Sequence, residues 1–183
     1  MGITLNHSVV LDRFAGTAVL GSEQAAHIGT LGYVARASGI AIDARRDHPM
    51  MADDAAFEPV VESGGDVLAR FNVRAREVAA STRMIAHLTA ELVGSRSGSV
   101  VAARPRSVPD GSGGSGLGVV EAWRGTLCHR VEIDGAGLLT RVRAVDPSFF
   151  NWPALPVALA DTIVPDFPLT NKSFNQSYAG NDL

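Results

Sequence analysis

Four side chains that can carry charge, a proton or a metal ion fall within nine residues of one another in the second half of the chain. They are the Glu121 carboxylate, the Arg124 guanidinium, the Cys128 thiol and the His129 imidazole. Gly125 follows the arginine and relaxes the backbone there. Two interpretations stay open for Arg124: a functional arginine held at a corner of the fold, or a solvated arginine on a surface hairpin.

The elements that must position these side chains are short strands. The run 119–123 is β-branched and aromatic, and 127–133 has a similar composition, so both are predicted strands. Asp134-Gly135 is a turn signal, and 138–145 is the predicted returning strand. We therefore expect a small antiparallel hairpin sheet over about 118–145, with Arg124 at the bend between the first two strands.

The longest predicted element is a helix over about 66–93, a stretch without Gly or Pro. Its apolar positions recur at steps of three and four, as on one face of a helix. They are Val67, Phe71, Val78, Ile85, Leu88 and Leu92, with Arg74 and Ser81 in the same row. Arg74 either reaches an acidic partner within a packed interface or lines a site, and we favour the first interpretation.

Four shorter segments give further expectations. Residues 22–28 form a predicted helix with Ser22 as N-cap and Gly29 as its end. The apolar run 32–46 is predicted to be buried, which requires a partner for its charges, such as an Arg36–Asp43 pair. A helix is predicted from an Asn151 cap to about 163. The last twenty residues contain too many prolines and small polar residues for an ordinary core.

The segment 95–118 is predicted to be a flexible Gly/Ser-rich loop. Gly111, Gly113 and Gly116 match the spacing of a dinucleotide-binding motif. That motif requires a strand before it and a helix after it, whereas Pro109 precedes these glycines and a strand follows. We therefore reject a dinucleotide site here.

Composition limits the class of protein. The 183 residues are 46% hydrophobic, enough for the core of a single domain over 1–183. The net charge of −3 argues against general binding of nucleic acids. A single cysteine excludes a disulfide or a thiolate-held cluster within the chain. We find no run of 18 apolar residues that would span a membrane.

Several motifs, taken in order, resemble one superfamily. They are Arg36-Ala37-Ser38-Gly39-Ile40 with Asp43 and Arg45, Gly65-Asp66-Val67 with Arg70, Arg74 and Glu77, Glu121-Ala122-Trp123-Arg124-Gly125 with His129, Asp146-Pro147-Ser148-Phe149 with Asn151 and Trp152, and Gly180 with Asp182. The chain resembles the C-terminal half of the NiFe hydrogenase large subunit, especially of the membrane-bound formate-hydrogenlyase type (group 4). It equally resembles the 49-kDa quinone-site subunit of respiratory Complex I, the NADH-quinone oxidoreductase.

The resemblance implies an α+β, mostly helical fold and a set of site residues. It places Arg124, Glu121 and His129 in the family's catalytic cleft, with Arg36, Asp43, Arg74 and Asp182 in support. Ser177 and Gly180 fall where the hydrogenases carry a terminal Cys-x-x-Cys, and neither supplies a soft thiolate for nickel and iron. We therefore expect this chain to bind no metal. For Arg124 we expect Glu121 or Asp43 as the counterion.

The implied function is that of a hydrogenase-like, 49-kDa-like module in a membrane-associated redox complex. Enzyme activity stays open. If present, it is oxidoreductase activity on NAD(P)H and quinone within a multi-subunit complex, not that of a free-standing hydrogenase. Expected partners are an iron–sulfur small subunit carrying the cluster, the N-terminal large-subunit half or an equivalent chain, and membrane subunits, on the cytoplasmic face of the inner membrane. The alternative is a non-catalytic structural or assembly subunit that retains the fold.

Overall fold

The computed structural model describes residues 7–49, 57–94 and 111–182, which form a helical body with one small sheet. The α-helices of these ranges are α1 Ser8–Phe14, α2 Ser22–Ile28, α3 Gly32–Ala37, α4 Ala44–Asp47, α5 Val67–Gly94, α6 Pro147–Asn151, α7 Ala154–Leu159 and α8 Phe167–Phe174. Single 3₁₀ turns lie at Val164–Asp166 and Ala179–Asn181. The strands are β1 Gly114–Ala122, β2 Gly125–Ile133 and β3 Leu139–Val145. The predicted α+β, mostly helical class is confirmed.

The long helix α5 has the predicted length, but only its first half is packed. The buried residues end at Glu77, and the row that points inward is Val67, Arg70, Val73 and Glu77 rather than the predicted one. Farther along, Ile85 and Leu92 are 65% and 75% exposed. The predicted apolar stripe is therefore exposed beyond Glu77, because the helix extends past the body. No helix of the described ranges is long and apolar enough to cross a membrane.

The sheet has the predicted antiparallel order β1-β2-β3. It starts earlier than expected, because Gly114 pairs with Ile133 and Gly118 pairs with His129. The predicted loop 95–118 is therefore wrong from Gly114 onward, and its part 95–110 lies outside the described residues. Most of β1 and β3 is exposed, so the sheet extends from the body with its Arg124 end attached.

Two predicted helix ends differ in detail. Gly21, not Ser22, is the N-cap of α2, and its N–H donates to Gln24 Oε1 at 3.1 Å. The predicted helix from Asn151 is instead two short helices. Asp146 caps the first by accepting from Ser148 N at 2.7 Å, which leaves Asn151 free for other contacts.

The core lies where α3, the first half of α5, α7 and α8 meet. Its largest apolar members are Tyr33, Leu20, Val34, Val67, Val73, Leu155 and Phe174. Helix α8 also buries Thr170 and Ser173, contrary to the expectation for the chain's last segment. This is possible because each hydroxyl donates to a carbonyl of its own neighbourhood, Asp166 O at 2.9 Å and Thr170 O at 2.7 Å.

Candidate functional site

Arg36 is the centre of a buried ion cluster. The side chain, on α3, is 1% exposed and meets carboxylates from three other parts of the fold. Its Nε lies 2.6 Å from Glu77 of α5, and its Nη1 lies 2.8 Å from Glu121 of β1 and 3.1 Å from Asp43. The predicted Arg36–Asp43 pair is confirmed, and the cluster joins the hairpin to the helical body.

The cluster contains more acid than base. Arg45 adds a second cation, with Nη2 2.7 Å from Asp43 Oδ2, so two arginines face three carboxylates. Burial raises the pKa of Glu77, and the charge of Arg36 only partly offsets that effect. Glu77 is therefore the member of the cluster for which the fold favours the protonated form.

A cleft of about 380 Å³ opens above this cluster, between α5 and the start of the hairpin. It is lined by Arg36, Arg45, Glu77, Val78, Ser81, Thr82, Ile85, Glu121, Ala122 and Trp123. Its lining thus combines the ionisable groups of the cluster with the aliphatic side chains and hydroxyls of α5.

Arg124 lies at the predicted bend but not with the predicted partner. Its half-buried side chain donates from Nε to the carbonyl oxygen of Asn175, just after α8. The expectation that Glu121 or Asp43 would be its counterion is wrong, because both carboxylates are bonded to Arg36. Arg124 thus reaches the C-terminal segment instead of the ion cluster.

The backbone around Arg124 is held by close packing against the start of α3. A Cβ on Gly32 would lie 2.2 Å from the Arg124 carbonyl oxygen, so only glycine fits there. Asn151 bridges the two segments: its Oδ1 accepts from Leu31 N at 2.8 Å, and its Nδ2 lies 3.3 Å from Arg124 O. The Asn151 position was predicted as a helix cap, and this bridging role was missed.

Tyr33 lies between the cluster and Arg124. Its hydroxyl donates to Phe174 O, its ring is 6.2 Å from that of Trp123, and Arg74 Cζ lies 5.3 Å above its ring. Burial raises the pKa of Tyr33 to about 12, although nearby arginines oppose this.

Arg74 Nε donates to Arg70 O at 3.3 Å. The preferred acidic partner of Arg74 is absent among the described residues.

Arg70 is fully buried without a carboxylate in contact. Its nitrogens donate to Ser173 Oγ at 2.9 Å, Gly65 O at 2.7 Å and Ala18 O at 2.9 Å. Burial lowers the pKa of Arg70 to about 9. Arg70 belongs to one of the motifs that carry the family resemblance. The sequence does not predict that neutral oxygens, and not a carboxylate, surround its guanidinium.

The two positions that the resemblance aligns with Cys-x-x-Cys form a hydrogen-bonded turn. Ser177 Oγ accepts from Gly180 N at 3.0 Å, and Ser177 N donates to Ser148 Oγ at 3.0 Å. A Cβ on Gly180 would lie 2.6 Å from Asp146 Cγ. A hydroxyl and a glycine provide no thiolate, so neither of these two positions can supply a thiolate ligand to a NiFe centre. In the described ranges, no group of three His, Cys, Asp or Glu could hold a metal.

Two predicted site residues lie apart from these contacts. His129 is exposed on β2, opposite Gly118 and Ala144, and Asp182 is exposed after the last 3₁₀ turn. Within the described residues, neither side chain makes a hydrogen bond or ion pair with Arg36 or Arg124. The structure therefore brings Arg36, Asp43 and Glu121 together, with Arg74 and Arg124 nearby around Tyr33.

Comparisons with known proteins support the same family. The sequence profile described as the respiratory-chain NADH dehydrogenase 49-kDa subunit matches residues 1–113. The carbon monoxide-induced hydrogenase of Rhodospirillum rubrum is 29% identical over 91% of this chain and 45% of its own length. A NADH-quinone oxidoreductase subunit of Deinococcus radiodurans is 30% identical over 82% of this chain and 43% of its own length. The chain thus spans somewhat under half the length of these curated relatives.

A solved structure agrees over the whole chain. A chain of the membrane-bound sulfane sulfur reductase, an archaeal respiratory membrane complex, aligns with a TM-score of 0.85 and 26% identity. The alignment covers 100% of this chain and 50% of the other. The protein is homologous to subunits of NADH-quinone oxidoreductase and of hydrogenase-like membrane complexes. The chain belongs to the family of the respiratory-chain NADH dehydrogenase 49-kDa subunit.

Proposed function

We propose that this chain works as the 49-kDa-like module of a membrane-associated oxidoreductase complex that passes electrons toward quinone or a similar acceptor. The observation that carries this proposal is the family match, which extends along more than half of the chain. The structural likeness to a respiratory membrane complex over the full chain supports it. The module carries no NiFe centre of its own in this proposal, because Ser177 and Gly180 provide no thiolate.

The context of the module is part of the proposal. The relatives are about twice as long as the aligned region, so a further large-subunit half completes the module. An iron–sulfur subunit supplies the electrons, and membrane subunits hold the complex at the cytoplasmic face of the inner membrane. The chain itself holds no cofactor.

Within this module, Arg124 is the residue we propose to contact the acceptor. A guanidinium keeps its charge at any working pH, and a half-buried one stabilises negative charge that develops on an acceptor as it is reduced. Glu121 and Asp43 act as positioning residues, because they fix Arg36 and through it the base of the hairpin. The resemblance adds Arg74, His129 and Asp182 to the proposed site, of which Arg74 lies beside Tyr33 and the other two lie apart from Arg36 and Arg124.

A second candidate function is a structural or assembly subunit that retains the fold. The contacts of Arg36 and Arg124 favour it, since each of them joins separate elements of the fold. In this case the ion cluster stabilises the fold and Arg124 only anchors the C-terminal segment.

The two functions are separated by measuring quinone reduction by the intact complex purified from native membranes. If the redox proposal is right, Arg124→Gln lowers the rate per complex by about tenfold or more, equivalent to about 1.4 kcal/mol of transition-state stabilisation, while all subunits still co-purify. Arg130→Gln is the control, because Arg130 is an exposed arginine of β2 paired with Glu132. An unchanged rate in the Arg124 variant supports the structural function.

Elemental analysis of the same purified complex should give well under one nickel per chain. One nickel per chain contradicts the proposal that the module has no NiFe centre.

A further inference from the structure

Three arginines around Tyr33 lack acidic partners. The charges of Arg74, Arg124 and Arg70 all act on the Tyr33 hydroxyl, so they lie in one neighbourhood. Within the described ranges none of them has a carboxylate oxygen within 4.0 Å, whereas Arg36 has three such partners. Positive charge is therefore concentrated on this side of the molecule, and the charge of Asp66 on Arg70 only partly balances it.

Two of these arginines have unused donors. Arg70 is engaged through all three nitrogens. Arg124 and Arg74, by contrast, each donate through Nε alone, to Asn175 O and Arg70 O. Both side chains are half-buried, so the terminal nitrogens of each have reach to a bound group and no acceptor among the described residues.

Gln176 adds an unused acceptor on the same turn. The residue is 7% exposed, and its Nε2 donates to Phe174 O at 2.6 Å. That bond fixes the orientation of the amide, and Oε1 is left buried with no donor in the described part of the chain. An unpaired buried acceptor destabilises the fold, and a bound donor would remove that cost.

The bonded donors of three side chains meet at two consecutive carbonyls, so these side chains share one neighbourhood. Tyr33 and Gln176 both donate to Phe174 O, and Arg124 donates to the next one, Asn175 O. Asn175 itself is in the left-handed region at φ 46°, which turns the chain sharply after α8. With both carbonyls occupied, the turn offers guanidinium donors and one amide acceptor to a ligand.

We propose that this turn binds a small oxyanion that carries a hydroxyl group, of the bicarbonate or hydrogenphosphate class. Its charged oxygens accept from the terminal nitrogens of Arg124 and Arg74, and its hydroxyl donates to Gln176 Oε1. An oxyanion without a hydroxyl leaves that acceptor unpaired and binds less tightly. The inference goes beyond the proposed electron transfer and does not depend on it.

Inorganic phosphate and sulfate test the proposal directly. Near pH 8 both are tetrahedral dianions, but only phosphate retains a hydroxyl. Calorimetric titration of the purified complex containing the full chain, at matched ionic strength, should show phosphate binding tighter than sulfate by at least about tenfold. Bicarbonate is the second probe and should compete with phosphate. Equal affinities for phosphate and sulfate would overturn the proposal. A failure to bind phosphate at concentrations up to about 10 mM would also overturn it, because a Kd weaker than this is too weak for specific binding.

Variants assign the binding to this turn. Arg124→Gln and Arg74→Gln should each weaken phosphate binding by about tenfold or more, as expected for losing one charge-assisted contact. Gln176→Leu should reduce the preference for phosphate over sulfate to within about twofold. Arg76→Gln removes a charge from the same helix, but Arg76 is exposed and paired with Glu62, so this variant should bind phosphate like the wild type.

If the Arg74 and Arg124 variants bind phosphate as well as Arg76→Gln does, the site is elsewhere. If Gln176→Leu fails to fold, the arginine variants decide the outcome. Phosphate binding without quinone turnover would leave this inference intact and reject only the proposed electron transfer.

Discussion

Arg36 and Arg70 are both almost completely buried, yet different partners hold them. Arg36 has carboxylates from three parts of the chain, and its removal would leave two of these acids, Glu77 and Glu121, without a cation, since Arg45 still pairs with Asp43. Arg70 has only neutral oxygens and the Phe174 ring, 4.3 Å from its Cζ. The first arginine therefore fixes the relative positions of elements, whereas the second stabilises one core junction.

Glu77 makes the ion cluster sensitive to pH. Burial raises its folded-state pKa above the ordinary value of 4.5, so the fold favours the protonated acid. The contribution of the Glu77 carboxyl to the free energy of unfolding is therefore greatest below pH 4.5 and falls as the pH rises through the raised pKa. We expect the unfolding free energy of the wild type, relative to Glu77→Gln, to fall as pH rises above 4.5 in denaturant titrations. A difference that is flat or rises with pH contradicts this assignment.

At the scale of elements, the junction between α3 and the hairpin depends on close backbone approach. Gly32 has φ +64°, and the Arg124 carbonyl oxygen lies where its Cβ would project. Asn151 then bonds both segments. The Arg124 side chain is aimed by this junction, because its own backbone is one of the two surfaces in contact.

A pair of glycines separates the contribution of this contact from that of backbone strain. Gly16 has a similar φ of +69° but nothing within 4 Å of its Cβ position. Gly16→Ala should therefore cost only about 1 kcal/mol of left-handed strain. Gly32→Ala adds a backbone collision and should cost about 3 kcal/mol or more in chemical unfolding. Equal losses for the two variants would mean that the junction opens without penalty.

Local sequence patterns predict the elements and the Arg36–Asp43 pair, but not the partner of Arg124. The helix over 66–93 follows a helical repeat and the hairpin has β-branched strands around a turn signal, so the bounds predicted for both are close to those observed. The surroundings of Arg124 were not predicted, because Asp43 and Glu121 are available to three arginines and tertiary packing gives them to Arg36 and Arg45. Gln176 has no sequence signal at all, since an unpaired amide is defined only by its surroundings.

At the scale of the molecule, two apolar projections leave the body. The distal half of α5 exposes Val78, Ile85 and Leu92, and the sheet exposes Leu117 and Leu139. On the helix, Val78, Ile85 and Leu92 follow one another at steps of seven and so form one exposed apolar row, which is typical of a protein that works with partners. The proposed large-subunit half and iron–sulfur subunit are the occupants we expect.

The distal half of α5 provides the test of this assembly. Ile85 and Leu92 are seven residues apart and thus lie on one helical face. Ile85→Lys with Leu92→Lys should lower the iron that co-purifies per chain from the native membrane fraction by at least about fivefold, the effect of losing roughly 1 kcal/mol of interface energy. His87→Lys is the matched control, because His87 is exposed on a different face and pairs only with Glu91. Its yield of iron should equal that of the wild type. Retention of the iron by the double variant would show that this face is not an assembly surface. The same conclusion would follow if the isolated chain were monodisperse and unfolded in one cooperative transition.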